Sequence, residues 1–156
     1  MAAGGEGGHD PELCEPALTH LRPDGSAHMV DVGAKPVTVR EARAEARVVM
    51  RPETLEQVLA GGLPKGDVAA VARVAGILGA KRTPQLVPLC HPLPLEAVEI
   101  EIEPEPPRAL RCVCRCRTTA RTGVEMEALT GALVAALTVY DMIKGIDRGA
   151  EIAAAR

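Results

Sequence analysis

Hydrophobic and polar positions along this chain follow different periods in different segments, and each period predicts an element. From Glu96 to Thr118 the text EAVEIEIEPEPPRALRCVCRCRT places Val98, Ile100, Ile102, Leu110, Cys112, Cys114 and Cys116 at even positions. The odd positions carry Glu99, Glu101 and Glu103, then Arg111, Arg115 and Arg117. Period two predicts an antiparallel hairpin with a buried aliphatic and thiol face and an acid-base ladder outside, in any register of even sum. Exposed ion pairs add little stability, so the ladder chiefly sets register.

Alternation also marks Glu41–Met50, EARAEARVVM, as a strand, although Ala, Glu and Arg alone favour helix. Ala27–Val32, AHMVDV, reads as a short strand. Helical spacing begins at Pro52, where PETLEQVLAGG sets Leu55, Val58 and Leu59 on one side and ends at two glycines. Asp67 then opens DVAAVARVAGILGAK, with Val68, Val71, Ala72, Ala75 and Leu78 predicted as its core stripe.

The longest helical pattern is Thr122–Lys144, TGVEMEALTGALVAALTVYDMIK, which is apolar nearly all round and carries acids or bases only at its ends. Thr122 followed by Glu125 fits a capping box, predicting a start near Gly123. An apolar circumference predicts burial on several sides, in a core or a subunit interface. With a rise of about 1.5 Å per residue, Glu127 and Asp141 lie roughly 21 Å apart along this helix. One small site cannot use both from one copy, so joint function predicts an obligate oligomer whose neighbours bring opposite helix ends together. Asp141 and Lys144, three residues apart, can share one site.

Composition narrows the picture. The 156 residues suit one domain with one core, and 47% hydrophobic content is ordinary for a globular chain. Lys plus Arg number 18 against 21 Asp plus Glu, and one Tyr with no Phe or Trp leaves no stacking platform, which disfavours nucleic acid as a partner. A core without aromatics must rely on close small-residue packing, with Ala-rich helix contacts. No apolar stretch is long enough without interruption to favour a membrane span. Residues 1–17 lack the basic start and apolar run of a secretory signal and read as a disordered leader, so a cytoplasmic protein is expected.

Candidate chemistry concentrates in LPKGDVAAVARVAGILGAKRTPQLVPLCHPLPL, Leu63–Leu95. Lys65 precedes a helix start, where free amides favour anions, and Lys81 ends the same helix. Taken singly, each reads better as a solvated helix-end lysine. His91 has a side chain suited to proton transfer or phosphate recognition, or to a satisfied place in a core. Asp141 and Lys144 could tune one another for acid-base work or form a plain ion pair. The C-x-C-x-C of the hairpin points its thiols one way, with neighbouring Cα atoms about 6.5–7 Å apart, which favours free core thiols over a disulfide. A small metal module using Cys90, His91 and these thiols is the competing reading, without finger spacing to support it.

Taken together, the strings LTHLRPDGSAHMVDVGAKPVTVREARAEA, LPKGDVAAVARVAGILGAKRTPQLVPLCHPLPL and TGVEMEALTGALVAALTVYDMIKGIDR closely resemble the cyclic pyranopterin monophosphate synthases of molybdenum-cofactor biosynthesis. The resemblance spans about Leu18 to Ile152. It implies an α+β, ferredoxin-like antiparallel sheet with helices packed on one face, in a single catalytic domain over residues 18–156. It also implies assembly of dimers into a hexamer with sites where subunits meet. The implied reaction turns a GTP-derived tricyclic nucleotide, supplied by an upstream radical enzyme, into cyclic pyranopterin monophosphate with release of pyrophosphate. No metal or organic cofactor is required, and a divalent cation accompanying the triphosphate is compatible.

Carried over motif by motif, the resemblance makes Asp141 the catalytic residue, with Lys65 and Lys144 in the same pocket. Leu89, Cys90, His91, Met126 and Glu127 become substrate-binding, and Lys81 and Arg40 triphosphate contacts. The family continues past the equivalent of Ile152 into a final strand and a Gly- and Lys-rich tail, so the ending AAAR leads us to expect that strand to be absent and a sheet edge open. A catalytically impaired homologue, acting as an assembly or binding subunit, is the alternative this ending raises.

Overall fold

The computed structural model describes residues 21–156; the expected leader over 1–17, including Cys14, lies outside the described residues. Residues 31–156 form one compact unit, apart from the segment that precedes Asp31. Within that preceding segment, the backbone turns at Asp24–Gly25, and Leu21 and Ala27 make an isolated bridge. The strand expected over 27–32 does not form: Asp31 turns its carboxylate back onto the Gly33 amide (2.8 Å), a local bond that competes with pairing.

The compact unit contains β1 (Thr38–Val49), α1 (Pro52–Leu59), α2 (Val68–Lys81), α3 (Thr83–Leu86), β2 (Ala97–Glu105), β3 (Ala109–Ala120), α4 (Glu125–Ile143) and β4 (Glu151–Ala155). The four strands form one antiparallel sheet in the order β2-β3-β1-β4. The hairpin register is Val98 to Cys116, Ile100 to Cys114 and Ile102 to Cys112, the even-sum arrangement that alternation requires. Outside, Glu103 faces and pairs with Arg111, while Arg115 reaches diagonally to Glu101 (2.8 Å) because Val113, not an arginine, stands opposite that glutamate. Glu45 of β1 extends this ladder, pairing with Arg43 on its own strand and with Arg111 of β3.

On the other face Ala44, Ala46 and Val48 of β1 join Leu110, Cys112, Cys114 and Cys116 of β3 beneath α4, which also packs against α2. α4 is long and apolar enough to cross a membrane by length and composition, and here half of that stretch is buried within the protein. Its predicted capping box is absent. The helix starts at Glu125 after Val124, with no side-chain cap, and two acids in its first turn meet the positive end of the helix dipole instead. Leu133 and Leu137 stay exposed on its outer side.

The core stripe of α2 also differs from the expectation. Val68, Ala72, Gly76, Gly79 and Ala80 are buried, while Val71 and Leu78 face outward and Ala75 is half-buried. The reason is a close crossing of two helices. A Cβ on Gly76 would stand 2.9 Å from the Gly131 carbonyl oxygen of α4, and one on Gly79 would stand 2.8 Å from Val134. Small residues therefore occupy the interface and larger ones are turned away. Asp67 caps α2 as expected, accepting from the Ala70 amide (3.0 Å).

The expectation of an absent final strand is corrected. Residues 151–155 pair with β1, Ile152 opposite Val48 and Ala154 opposite Arg47, with a register shift between. Arg156 also bonds Glu45, through both backbone and side chain. An Ala-rich ending carries helix propensity, and pairing along β1 overrides it.

Candidate functional site

Helix α4 runs antiparallel to α2, so each end of the helical layer collects residues from both. At one end, Lys65 arrives in the loop before α2, just where Asp141 and Lys144 close the last turn of α4. The Lys65 ammonium donates to the Asp141 backbone oxygen (2.7 Å) and to its carboxylate (3.2 Å). Lys144 meets the other carboxylate oxygen at 2.7 Å. All three side chains are about half exposed, so the cluster is open to a ligand. Lys144 and then Lys65 hold the Asp141 carboxyl below its ordinary range, and Asp141 in turn raises Lys144. The result is an ionised carboxylate between two cations.

At the opposite end, Glu127 sits in the first turn of α4 with only 2% of its surface exposed. One carboxylate oxygen accepts from the Cys90 thiol at 3.5 Å; the other has no partner. Burial pushes the Glu127 carboxyl up, and burial together with Glu127 pushes Cys90 up to about 11. The segment carrying Leu89, Cys90 and His91 is irregular and half-buried, anchored downstream where the Thr118 hydroxyl donates to the Pro94 carbonyl (2.7 Å). Arg40 pairs with Thr118 across β1 and β3, on the helix-facing side of the sheet, and its Nε is buried without a partner. Lys81 and Met126 are exposed on the C-terminal turn of α2 and the N-terminal turn of α4.

The expected site residues therefore separate into two groups. Lys65, Asp141 and Lys144 converge directly; Cys90 and Glu127 converge directly, with His91, Leu89, Met126, Lys81 and Arg40 at their end of the layer. The 14-residue step from Glu127 to Asp141 puts about 21 Å of helix between the groups within one chain. A depression of about 470 Å³ lined by Glu41, Arg43, Glu99, Arg115 and Arg117 includes none of these residues.

Cys112, Cys114 and Cys116 are free and buried, with the last two sulfurs 3.7 Å apart. Among the described residues no three of His, Cys, Asp and Glu gather as a metal would need. One residue escaped the sequence reading. Asp147, only 3% exposed, accepts from the Arg51 amide (2.7 Å), the Thr54 hydroxyl (3.1 Å) and the Gly149 amide (3.2 Å). It lies outside any periodic pattern, and the sole hint was an acid just beyond a long helix.

The MoaC family model matches residues 29–156. A protein named cyclic pyranopterin monophosphate synthase from Herpetosiphon aurantiacus is 61% identical over 132 residues, 84% of this chain and 80% of that protein. One of the same name from Roseiflexus is 55% identical over 140 residues, 89% of each chain. Cyclic pyranopterin monophosphate synthase 3 of Mycobacterium tuberculosis is 55% identical over 135 residues, 86% of this chain and 76% of its own. With both helix-end clusters inside the matched region, the chain belongs to the MoaC family.

Proposed function

We propose that this enzyme is a cyclic pyranopterin monophosphate synthase, a lyase that converts 3',8-cyclo-7,8-dihydroguanosine 5'-triphosphate to cyclic pyranopterin monophosphate and pyrophosphate. The names of its relatives favour an enzyme over an impaired binding subunit. The observation that carries the mechanism is the split of polar groups between the two ends of α4. We place the active site between copies, with Lys65, Asp141 and Lys144 of one chain facing Arg40, Lys81, Leu89, Cys90, His91, Met126 and Glu127 of another.

Closing the cyclic phosphate forms a bond from a sugar-derived hydroxyl oxygen to the α-phosphorus and breaks the α–β anhydride, whose electron pair leaves with pyrophosphate. The hydroxyl proton needs a base and the leaving group needs cations. Asp141, ionised between two ammonium groups, is the base, and Lys65 relays protons beside it. Lys144, Lys81 and Arg40 balance the triphosphate charge, with a divalent cation on the substrate compatible. Glu127, its carboxyl raised by burial, can deliver a proton to the ring system while the Leu89–His91 segment and Met126 hold the base.

The element order, β-α-β-β-α-β once α1–α3 are taken as a single helical connection between β1 and β2, supports with its 2-3-1-4 sheet a ferredoxin-like fold. Leu133 and Leu137 on α4, with Val71, Val74 and Leu78 on α2, supply apolar surface for assembly of dimers into a hexamer. The reading includes a cytoplasmic location and partnership with neither nucleic acid nor membrane. Its test is complementation. Asp141→Ala and Glu127→Ala are each expected to be inactive with the tricyclic nucleotide. Mixed by joint refolding or coexpression, they should recover about a quarter of wild-type pyrophosphate release, because only some shared sites keep both residues. Two inactive parents whose mixture stays inactive would place the whole site in one chain.

A further inference from the structure

Helix α1 is too short to be stable alone, buries only Thr54 and Leu55, and receives no cap from Arg51, the residue that begins it. Its cap comes from 96 residues away in the chain: the Asp147 carboxylate accepts from the Arg51 amide and the Thr54 hydroxyl. Arg51 reciprocates, its guanidinium donating to the Ile146 carbonyl and pairing with Asp147 at 3.5 Å. The other side of this knot is the end of α4. The Asp147 amide donates to the carbonyl of fully buried Ile143 (2.9 Å), so Lys144 lies between two fixed points.

The loop that carries Lys65 is bound to α1 in turn. Ala60 donates to Glu56, Gly61 to Val58 and Gly62 to Gln57, and buried Leu63 accepts from Gly66. Any shift of α1 against α4 is therefore carried to Lys65. We propose that Asp147 is a positioning residue: by clamping the start of α1 to the end of α4, it sets the reach of Lys65 to Asp141. This rests on the catalytic reading of Lys65, Asp141 and Lys144 only for its effect on turnover; the geometry stands without it.

The experiment titrates the Asp141 side-chain carboxyl by NMR in protein labelled with ¹³C aspartate, its signal assigned by loss in Asp141→Asn. Lys65→Met is expected to raise the Asp141 midpoint, because one of its two cations is gone, and so calibrates the full effect. Asp147→Ala should reproduce more than half of that rise and lower kcat about tenfold, through misplacement of Lys65. Asp147→Asn, which keeps an acceptor, should restore most of both. Arg51→Met, an exposed change that leaves the amide in place, should give a smaller rise and serves if Asp147→Ala does not fold. A purely structural role would lower the unfolding midpoint without moving the Asp141 titration, and that outcome in Asp147→Ala, or in Arg51→Met if it alone folds, overturns the proposal. If the titration moves while Asp141→Asn retains full turnover, the catalytic reading fails and the clamp stands.

Discussion

Gly76→Ala tests the close crossing that places the two ends of the helical layer. The added methyl would stand 2.8 Å and 3.0 Å from Ile100 side-chain carbons and 2.9 Å from the Gly131 carbonyl oxygen. The Ile100 contacts are to outer carbons of a buried side chain, which can shift, whereas the carbonyl belongs to the α4 backbone and cannot turn aside without moving its element. Overpacking of this kind costs about 1–3 kcal/mol, and the fixed backbone carbonyl puts Gly76 in the upper half. Replacing glycine by alanine within a helix returns about 1 kcal/mol. A net loss of about 1–2 kcal/mol remains, equivalent to a fall of roughly 3–8 °C in the unfolding midpoint. Gly145→Ala is the control, since a methyl there meets nothing within 4 Å. It should be neutral or slightly stabilising. Calorimetry on the three proteins reads this directly, and turnover measured alongside should fall several-fold for Gly76→Ala as α2 carries Lys65 away from Asp141. A Gly76→Ala protein as stable as wild type would refute the tight-crossing argument.

Asp141→Asn should leave the unfolding midpoint close to wild type, because the lost ion pairs are exposed, yet reduce turnover at least about 100-fold; activity within tenfold of wild type would remove Asp141 from its role. Cys90, raised to about 11, should be alkylated at pH 8 far more slowly than a free thiol, since only about one in a thousand is thiolate, and mass spectrometry after timed iodoacetamide would expose rapid labelling if the burial argument is wrong. Glu127, raised by burial, contributes stability fully present below its unfolded value and lost as pH climbs through its folded pKa. The midpoint of Glu127→Gln relative to wild type should therefore improve from pH 4 to pH 8, and a difference that stays flat or worsens counts against a desolvated carboxyl.

Alternation made the hairpin and its register readable, because period two assigns every side chain a face before any partner is known. Helix faces were less readable. Val71 and Leu78 looked like core on hydrophobicity, whereas the neighbour's backbone approaches so closely that glycine and alanine take the interior instead. The cap at Thr122 and the strand at 27–32 failed for a related reason: local preferences of about 1 kcal/mol yield to whatever the surrounding packing permits. β4 was hidden by its alanines. Of the site, the Asp141–Lys144 spacing was legible as a shared cluster, and the helix length announced that Glu127 lies elsewhere. The approach of Lys65, 76 residues away from Asp141 in the chain, and of Cys90 to Glu127 followed from resemblance alone. Asp147 stayed unseen because a capping partner 96 residues distant leaves no local pattern.

The one tyrosine of a chain with no Phe or Trp, Tyr140, packs at the core's edge immediately before Asp141. Ultraviolet emission from this protein thus has a single source and a known address. Quenching by an arriving nucleotide, or its recovery as product departs, can be followed in unlabelled protein without background from any other side chain.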